Sequence, residues 1–334
     1  MINKISELAK TNLKISDFHL REGSNIAYRV LGEIFQDTNS LIKKSDLEEL
    51  LKKNCTEEEV QNFHKNNELD CAINLADFRF RANFFKTLNG IAAVLRRIVT
   101  KIPSMEELNL PPIMYEIVEA HKGLVLVTGP TGSGKSTTLA AIIGKINELR
   151  PKNIITIEDP VEFIHHDKKS IISQREVGKQ TSSFARALKS ALREDPDVIL
   201  VGEMRDLETI SMALTAAETG HLVLGTLHTS GAPNTINRII DVFPPGQQGQ
   251  IRAQIAESLK MIITQKLIKK KDGTGRVAAF EILTCTPPIK NLIREAKVHQ
   301  IPSVMQTSQK DGMVTMEKSI EVLTQSGLIS GAVE

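Results

Sequence analysis

Gly129-Pro130-Thr131-Gly132-Ser133-Gly134-Lys135-Ser136 is the stretch that decides the fold. It fits the pattern G-x-x-x-x-G-K-[ST] at every fixed position. A short apolar run, Leu124 to Thr128 (LVLVT), stands before it, and Ser136 to Leu149 behind it reads as a helix. Strand, glycine-rich loop, helix is the context in which this pattern has physical meaning. Glycines let the backbone curl so that successive N–H groups converge on phosphate oxygens. The helix N-terminus adds a favourable dipole for the same anion. Residues Gly129 to Thr137 are therefore expected to cradle a nucleoside triphosphate. Lys135 would reach the β- and γ-phosphates, and Ser136 would hold Mg²⁺.

Outward from the loop, further apolar runs recur: Ile154 to Ile157, Val198 to Val201 and Leu222 to Gly225. Helical stretches such as Ser183 to Arg193 lie between them. That alternation predicts a largely parallel sheet with helices on both faces, an α/β class. From about Pro287 the chain reads as helical.

Upstream, a proline-bearing stretch, Lys101 to Pro112, predicts a linker. It divides a first domain over 1–100 from a second over 113–334. In the first domain Leu47 to His64 reads as one helix. Phe78 to Phe85 alternates, with Phe78, Phe80, Ala82 and Phe84 on one face, as a half-buried strand does. Thr87 to Gly90 signals a turn, and Ile91 to Val99 reads as the returning strand.

Composition narrows the function classes. The 42 basic and 40 acidic residues leave a net charge of +2, so no global pull toward nucleic acid or an anionic membrane exists. Two tyrosines and no tryptophan offer no stacking platform for single strands. Three cysteines, Cys55, Cys71 and Cys285, lie far apart in sequence and show no metal spacing. The opening MINKISELAK is too polar for a signal peptide, and no apolar run nears the roughly 20 residues a membrane span needs. A cytoplasmic protein without direct membrane insertion is expected.

Three later segments carry acid–base chemistry. Glu158-Asp159-Pro160-Val161-Glu162 follows an apolar run, the place where open α/β sheets put catalytic groups. Asp159-Pro160 reads more simply as a turn, whereas Glu162 is a candidate catalytic residue. The strand Val198 to Val201 ends in Gly202-Glu203. Glu203 would orient or deprotonate the attacking water. A nucleotide-cleaving strand of this kind usually ends in aspartate. Gly202 occupies that place, so Mg²⁺ must find another carboxylate, for which Glu162 is the candidate. His221 and His228 flank the run Leu222 to Leu227 and become candidates by that position.

Together GPTGSGKST (129–137), ITIEDPVEF (155–163), REDPDVILVGEMRD (193–206) and TGHLVLGTLHT (219–229) resemble the four signatures of the secretion ATPases. Members of that family drive type II secretion and type IV pilus assembly or retraction. The stretch SDFHLREGSNIAYRVLGEI (16–34) is similar to the family's N-terminal PAS-like domain, which implies a RecA-like ATPase domain behind it. The resemblance implies catalytic roles for Glu162, Glu203, His221 and His228, and ATP with Mg²⁺ as ligands. It also implies a homohexameric ring on the cytoplasmic face of the inner membrane, docked on a PilC-like platform protein.

Three features point to the pilus-retraction branch. The four-cysteine zinc insertion of the assembly and secretion enzymes is missing, and only some 100 residues precede the core. Pro287 to Glu295 (PPIKNLIRE) resembles a C-terminal signature of retraction ATPases, with Pro288 and Lys290 as departures. An assembly or secretion ATPase, and a non-hydrolysing regulatory subunit, are the competing readings.

The hairpin of the first domain adds one expectation. If TLNG (87–90) is a four-residue loop, Arg81 lies opposite Arg96; if Asn89-Gly90 forms a two-residue turn, the two are diagonal. Both registers keep them on one face. Like charges across a strand pair repel, unless an anion sits between them or both splay into water. The family's N-terminal arginines reach nucleotide phosphates, and Arg81 and Arg96 stand at matching positions, with Arg97 a weaker candidate on the other face.

Overall fold

The computed structural model describes all residues except 31, 77, 99–101 and 331–334. Val99, the expected end of the returning strand, and Lys101, the expected start of the linker, lie outside the described residues. The chain divides into two compact units, Met1–Lys101 and Ile102–Glu334.

The first unit holds helices α1 (Ile2–Thr11), α2 (Lys44–Asn54) and α3 (Glu57–Asn66) and strands β1 (Ile15–Arg21), β2 (Asn25–Val30), β3 (Glu33–Leu41), β4 (Glu68–Leu75), β5 (Phe78–Thr87) and β6 (Gly90–Ile98). The strands form one six-stranded sheet in the order β3-β2-β1-β6-β5-β4, every neighbouring pair antiparallel. Alternation decides which face is covered. Phe80, Ala82 and Phe84 of β5 point into a core with Leu47, Leu50 and Leu51 of α2 and Phe63 of α3.

The single helix expected over Leu47 to His64 is two helices. Thr56 breaks it: its hydroxyl accepts from the Glu59 N–H at 3.2 Å, and the Glu59 carboxylate accepts from the Thr56 N–H at 2.8 Å. This reciprocal cap starts α3 afresh. Two cysteines distant in sequence also meet, Cys55 and Cys71, with sulfurs 3.2 Å apart.

The second unit carries α4 (Tyr115–Glu119), α5 (Lys135–Leu149), α6 (Phe184–Ala191), α7 (Leu207–Glu218), α8 (Ala232–Asp241), α9 (Gln248–Ser258), α10 (Pro287–Arg294), α11 (Ile301–Thr307) and α12 (Met316–Gln325). Its strands are β7 (Gly123–Thr128), β8 (Asn153–Glu158), β9 (Ile171–Glu176), β10 (Val198–Val201), β11 (Leu222–Leu227), β12 (Leu259–Lys269) and β13 (Arg276–Thr284). They form a seven-stranded sheet in the order β13-β12-β7-β11-β10-β8-β9, parallel except for the β12–β13 hairpin. Every residue of β7, β10 and β11 is buried, as central strands covered on both faces must be. One core lies on each side of this sheet. Because the central strands run parallel, the residues following β7, β8, β10 and β11 all emerge at one edge.

The PPIKNLIRE segment forms α10, with both prolines in the first turn, where a missing N–H costs nothing. Ile289 and Ile293 are buried four residues apart, and Lys290 and Arg294 both pair with Glu257 of α9. Among the described residues no helix is long and apolar enough to cross a membrane.

Candidate active site

The loop after β7 folds as a phosphate cradle. Gly129 has φ 137° and Gly134 has φ 88°, conformations that side chains resist. At Gly129 space forbids a side chain as well, since a Cβ there would sit 2.3 Å from the Gln265 carbonyl of β12. The Lys135 ammonium donates to the carbonyls of Gly129 at 2.9 Å and Pro130 at 3.0 Å, so it lies along the loop. Ser133 Oγ is buried without a hydrogen-bond partner. Curled backbone, helix N-terminus, buried cation and orphaned hydroxyl fit a polyphosphate.

Four strand ends converge on this loop. A cleft of about 410 Å³ is lined by Thr131, Gly132, Gly134 to Thr137, Glu158 to Pro160, Glu162, Gly202, Glu203 and His228. Glu203 accepts from Arg205 Nε at 2.5 Å, lies 3.2 Å from His228 Nε2, and is 20% exposed. Burial pulls the Lys135 ammonium below its ordinary value, and the charges of Glu203 and Glu162 oppose that pull. Both carboxylates therefore act on the cradle's cation. The place of the usual aspartate is tight at Gly202. A Cβ would lie 3.0 Å from the Ile157 carbonyl and 3.2 Å from Glu158 Cα, because Gly202 N–H bonds that carbonyl at 2.7 Å.

The chain matches the type II/IV secretion system protein family over residues 61–300. The chain belongs to that family. It is 47% identical over 329 residues to the type IV pilus retraction ATPase PilT of Pseudomonas aeruginosa, covering 98% of this chain and 95% of that one. It is 58% identical over 269 residues to the twitching motility protein of Neisseria gonorrhoeae, covering 80% of this chain and 72% of that relative. Its structure superimposes with TM-score 0.91 on the crystal structure of the pilus retraction motor PilT with bound ADP, at 46% identity and over 99% of this chain and 94% of that one.

Within this secretion-system member the expected site residues do not all gather. Gly132 and Gly134 to Thr137 of the cradle, Glu162, Glu203 and His228 share the cleft. His221 does not join them. It precedes β11, whereas His228 follows it, and six extended residues separate the two by roughly 20 Å. Its Nδ1 lies 3.0 Å from the Ala216 carbonyl at the end of α7. Of the two histidines expected at the ends of this strand, only His228 therefore stands at the cleft of its own subunit.

In the first unit Arg81 pairs directly opposite Arg96, the register expected of TLNG, although Thr87 pairs with Gly90 and the turn itself is only Leu88-Asn89. Arg96 Nε donates to Asp17 at 2.9 Å, and Arg81 lies 3.9 Å from Asp70, so acids on flanking strands balance both. Arg97, on the opposite face, donates to the Ala9 and Leu13 carbonyls at the end of α1 and stacks 4.2 Å over Phe78. Those contacts make it a structural residue.

Sequence reasoning passed over three cleft neighbours. Glu158 ends β8, and burial pushes its carboxyl above the usual range, against bonds from Thr156, Gln174 and the Glu162 backbone. Arg205 follows Glu203 by two residues, a spacing that could have flagged it. Arg276 lines the cleft from the start of β13. No sequence signal marked it, because only the β12–β13 hairpin brings it there. Among the described residues no trio of His, Cys, Asp or Glu forms a ready metal cage.

Proposed function

We propose that this chain is an ATP-hydrolysing motor that powers type IV pilus retraction. The observation that carries the reading is the convergence of the phosphate cradle, Glu203, Glu162 and His228 on one cleft, in a chain alignable over nearly its whole length with a pilus retraction ATPase. The first unit is the PAS-like domain and the second the RecA-like ATPase domain.

In this reading the backbone of Gly129 to Thr137 and Lys135 hold the triphosphate. Ser136 and Glu162 would hold Mg²⁺, which when bound would supply positive charge to the β- and γ-phosphates. Glu203 takes a proton from the water that attacks the γ-phosphorus, and ADP leaves. His228 fixes the Glu203 carboxylate by its 3.2 Å contact and stands ready to donate to the transferred phosphate. Six copies form a ring, in which Arg81 and Arg96 exchange their acidic partners for nucleotide phosphate. Hydrolysis then releases the domains that ATP held together, and chemistry becomes movement. His221, remote from its own subunit's cleft, acts at the boundary with a neighbour. The ring works at the cytoplasmic face of the inner membrane against a PilC-like platform protein, and α10 is the surface that retraction requires.

Removing the chain from its organism tests the direction of force. Cells should become crowded with pili and lose twitching, and restoring the intact chain should reverse both. Bald cells would overturn retraction in favour of assembly.

A further inference from the structure

The acid-bearing loop between β8 and β9 has neither helix nor strand from Asp159 to His165, yet it must hold Glu162 at a fixed place in the cleft. Side chains of the sheet take over the task of a ladder. Gln174 of β9 spends its whole carboxamide on this loop. Its Nε2 donates to the Phe163 carbonyl at 2.8 Å and to Glu158 Oε1 at 3.2 Å, and its Oε1 accepts from the His165 N–H at 2.8 Å. Glu176, two residues on and on the same face of the strand, accepts from the Val161 N–H at 3.2 Å. Thr156 closes the set by donating to Glu158 Oε1 at 2.6 Å. Backbone groups on both sides of Glu162 are thus tied to the sheet, while the Glu162 side chain is exposed to the cleft. β9 is an edge strand whose one neighbour is β8, so its contribution to the site is made through these side chains.

We propose that Gln174 is a positioning residue for catalysis, acting through the loop that carries Glu162. The inference rests on the reading of the cleft as an ATPase site. The carboxamide is required because it donates and accepts at once. A glutamate of the same shape cannot donate to Phe163 and would set a second carboxylate against Glu158. A methionine fills the same volume and makes none of the three bonds. Misplacing a catalytic group by about 1 Å can cost on the order of 100-fold in rate. The grip on the triphosphate itself, apart from Mg²⁺, belongs by contrast to the Lys135 loop on another strand.

The test uses the full chain and its Gln174→Glu and Gln174→Met variants. Turnover and ATP affinity are measured on protein shown by its melting curve to be folded, with amide exchange followed at Val161 to His165. The expected result is a loss of roughly 10- to 100-fold in kcat for both variants. Affinity for ATP measured without Mg²⁺ should stay within about twofold, and the loop amides should exchange faster, as expected of a locally loosened segment. Wild-type kcat in the folded variants would overturn the positioning role while leaving the ATPase reading intact. Affinity falling in step with kcat would overturn it too, since that marks collapse of the whole cleft. Absence of ATP hydrolysis by the unaltered chain would sink both.

Discussion

Gly202 shows how one absent side chain redirects a site. A Cβ there would press on the Ile157 carbonyl and Glu158 Cα, so an aspartate fits only tightly between β10 and β8. Gly202→Asp should therefore cost roughly 1–3 kcal/mol in a denaturant melt, the scale of an overpacked interior. It should bring no gain in Mg²⁺-dependent ATP binding, because the displaced strand end carries Glu158 with it. A stable variant with tighter Mg²⁺ dependence would contradict that reading. His165 makes a separate prediction. Burial, aided by the neighbouring His166, pulls its imidazole down to about 4 from 6.5. The neutral ring is the form that the fold accepts, so the stability it contributes is complete above pH 6.5. That stability is lost as pH falls through about 4. Melting temperatures across that window should drop for the natural chain and fall less for His165→Asn, whose backbone still bonds Gln174. Parallel curves would remove His165 from the acid transition.

Elements differ in how well the sequence announces them. Thr56→Ala tests one that it announces quietly. Losing the cap that starts α3 should cost about 1 kcal/mol, read from the shift in a denaturant midpoint. The pattern Thr56-x-x-Glu59 is legible in the sequence, but the Leu, Glu and Lys content of both flanking stretches masks the break. The buried central strands are plain, because a short unbroken apolar run between turn signals and helical stretches suits a strand covered on both faces. β9, with Ser173, Gln174, Arg175 and Glu176 in its six residues, carries no such signal, because Gln174 and Glu176 serve the acid loop and Arg175 pairs with Glu194, rather than filling a core. The β12–β13 hairpin had a cue in Asp272-Gly273. Its consequence, Arg276 in the cleft, depends on β12 running beyond the end of β7, and pairing across that distance is not written locally. The same limit hid the meeting of Cys55 and Cys71. The two histidines are separable from sequence, since catalytic groups of open α/β sheets follow the strands and only His228 follows β11.

At the scale of the whole molecule, the proposed ring would make two arginines held by acids the moving contact. Arg96 is bonded to Asp17 yet 72% exposed, so its guanidinium can change partner at little cost in packing. In a ring it should then accelerate cleavage more than it tightens binding, as arginines on a γ-phosphate do. Arg96→Ala is expected to lower kcat at least tenfold while ATP affinity changes little, and activity per chain should rise with protein concentration until rings are complete. Turnover that is indifferent to both would separate the first unit from the chemistry. Beneath this lies one claim, that the cleft around Lys135 cleaves ATP with Glu203 as the base. The most direct test is phosphate release from Mg²⁺-ATP by the purified chain beside its Glu203→Ala variant, with ATP binding measured on both. The account predicts steady release by the natural chain, and in the variant a fall of 100-fold or more, a size within the ~10²–10⁴-fold range of general-base catalysis, with binding retained. Equal release by the two proteins, or none by either, would contradict it.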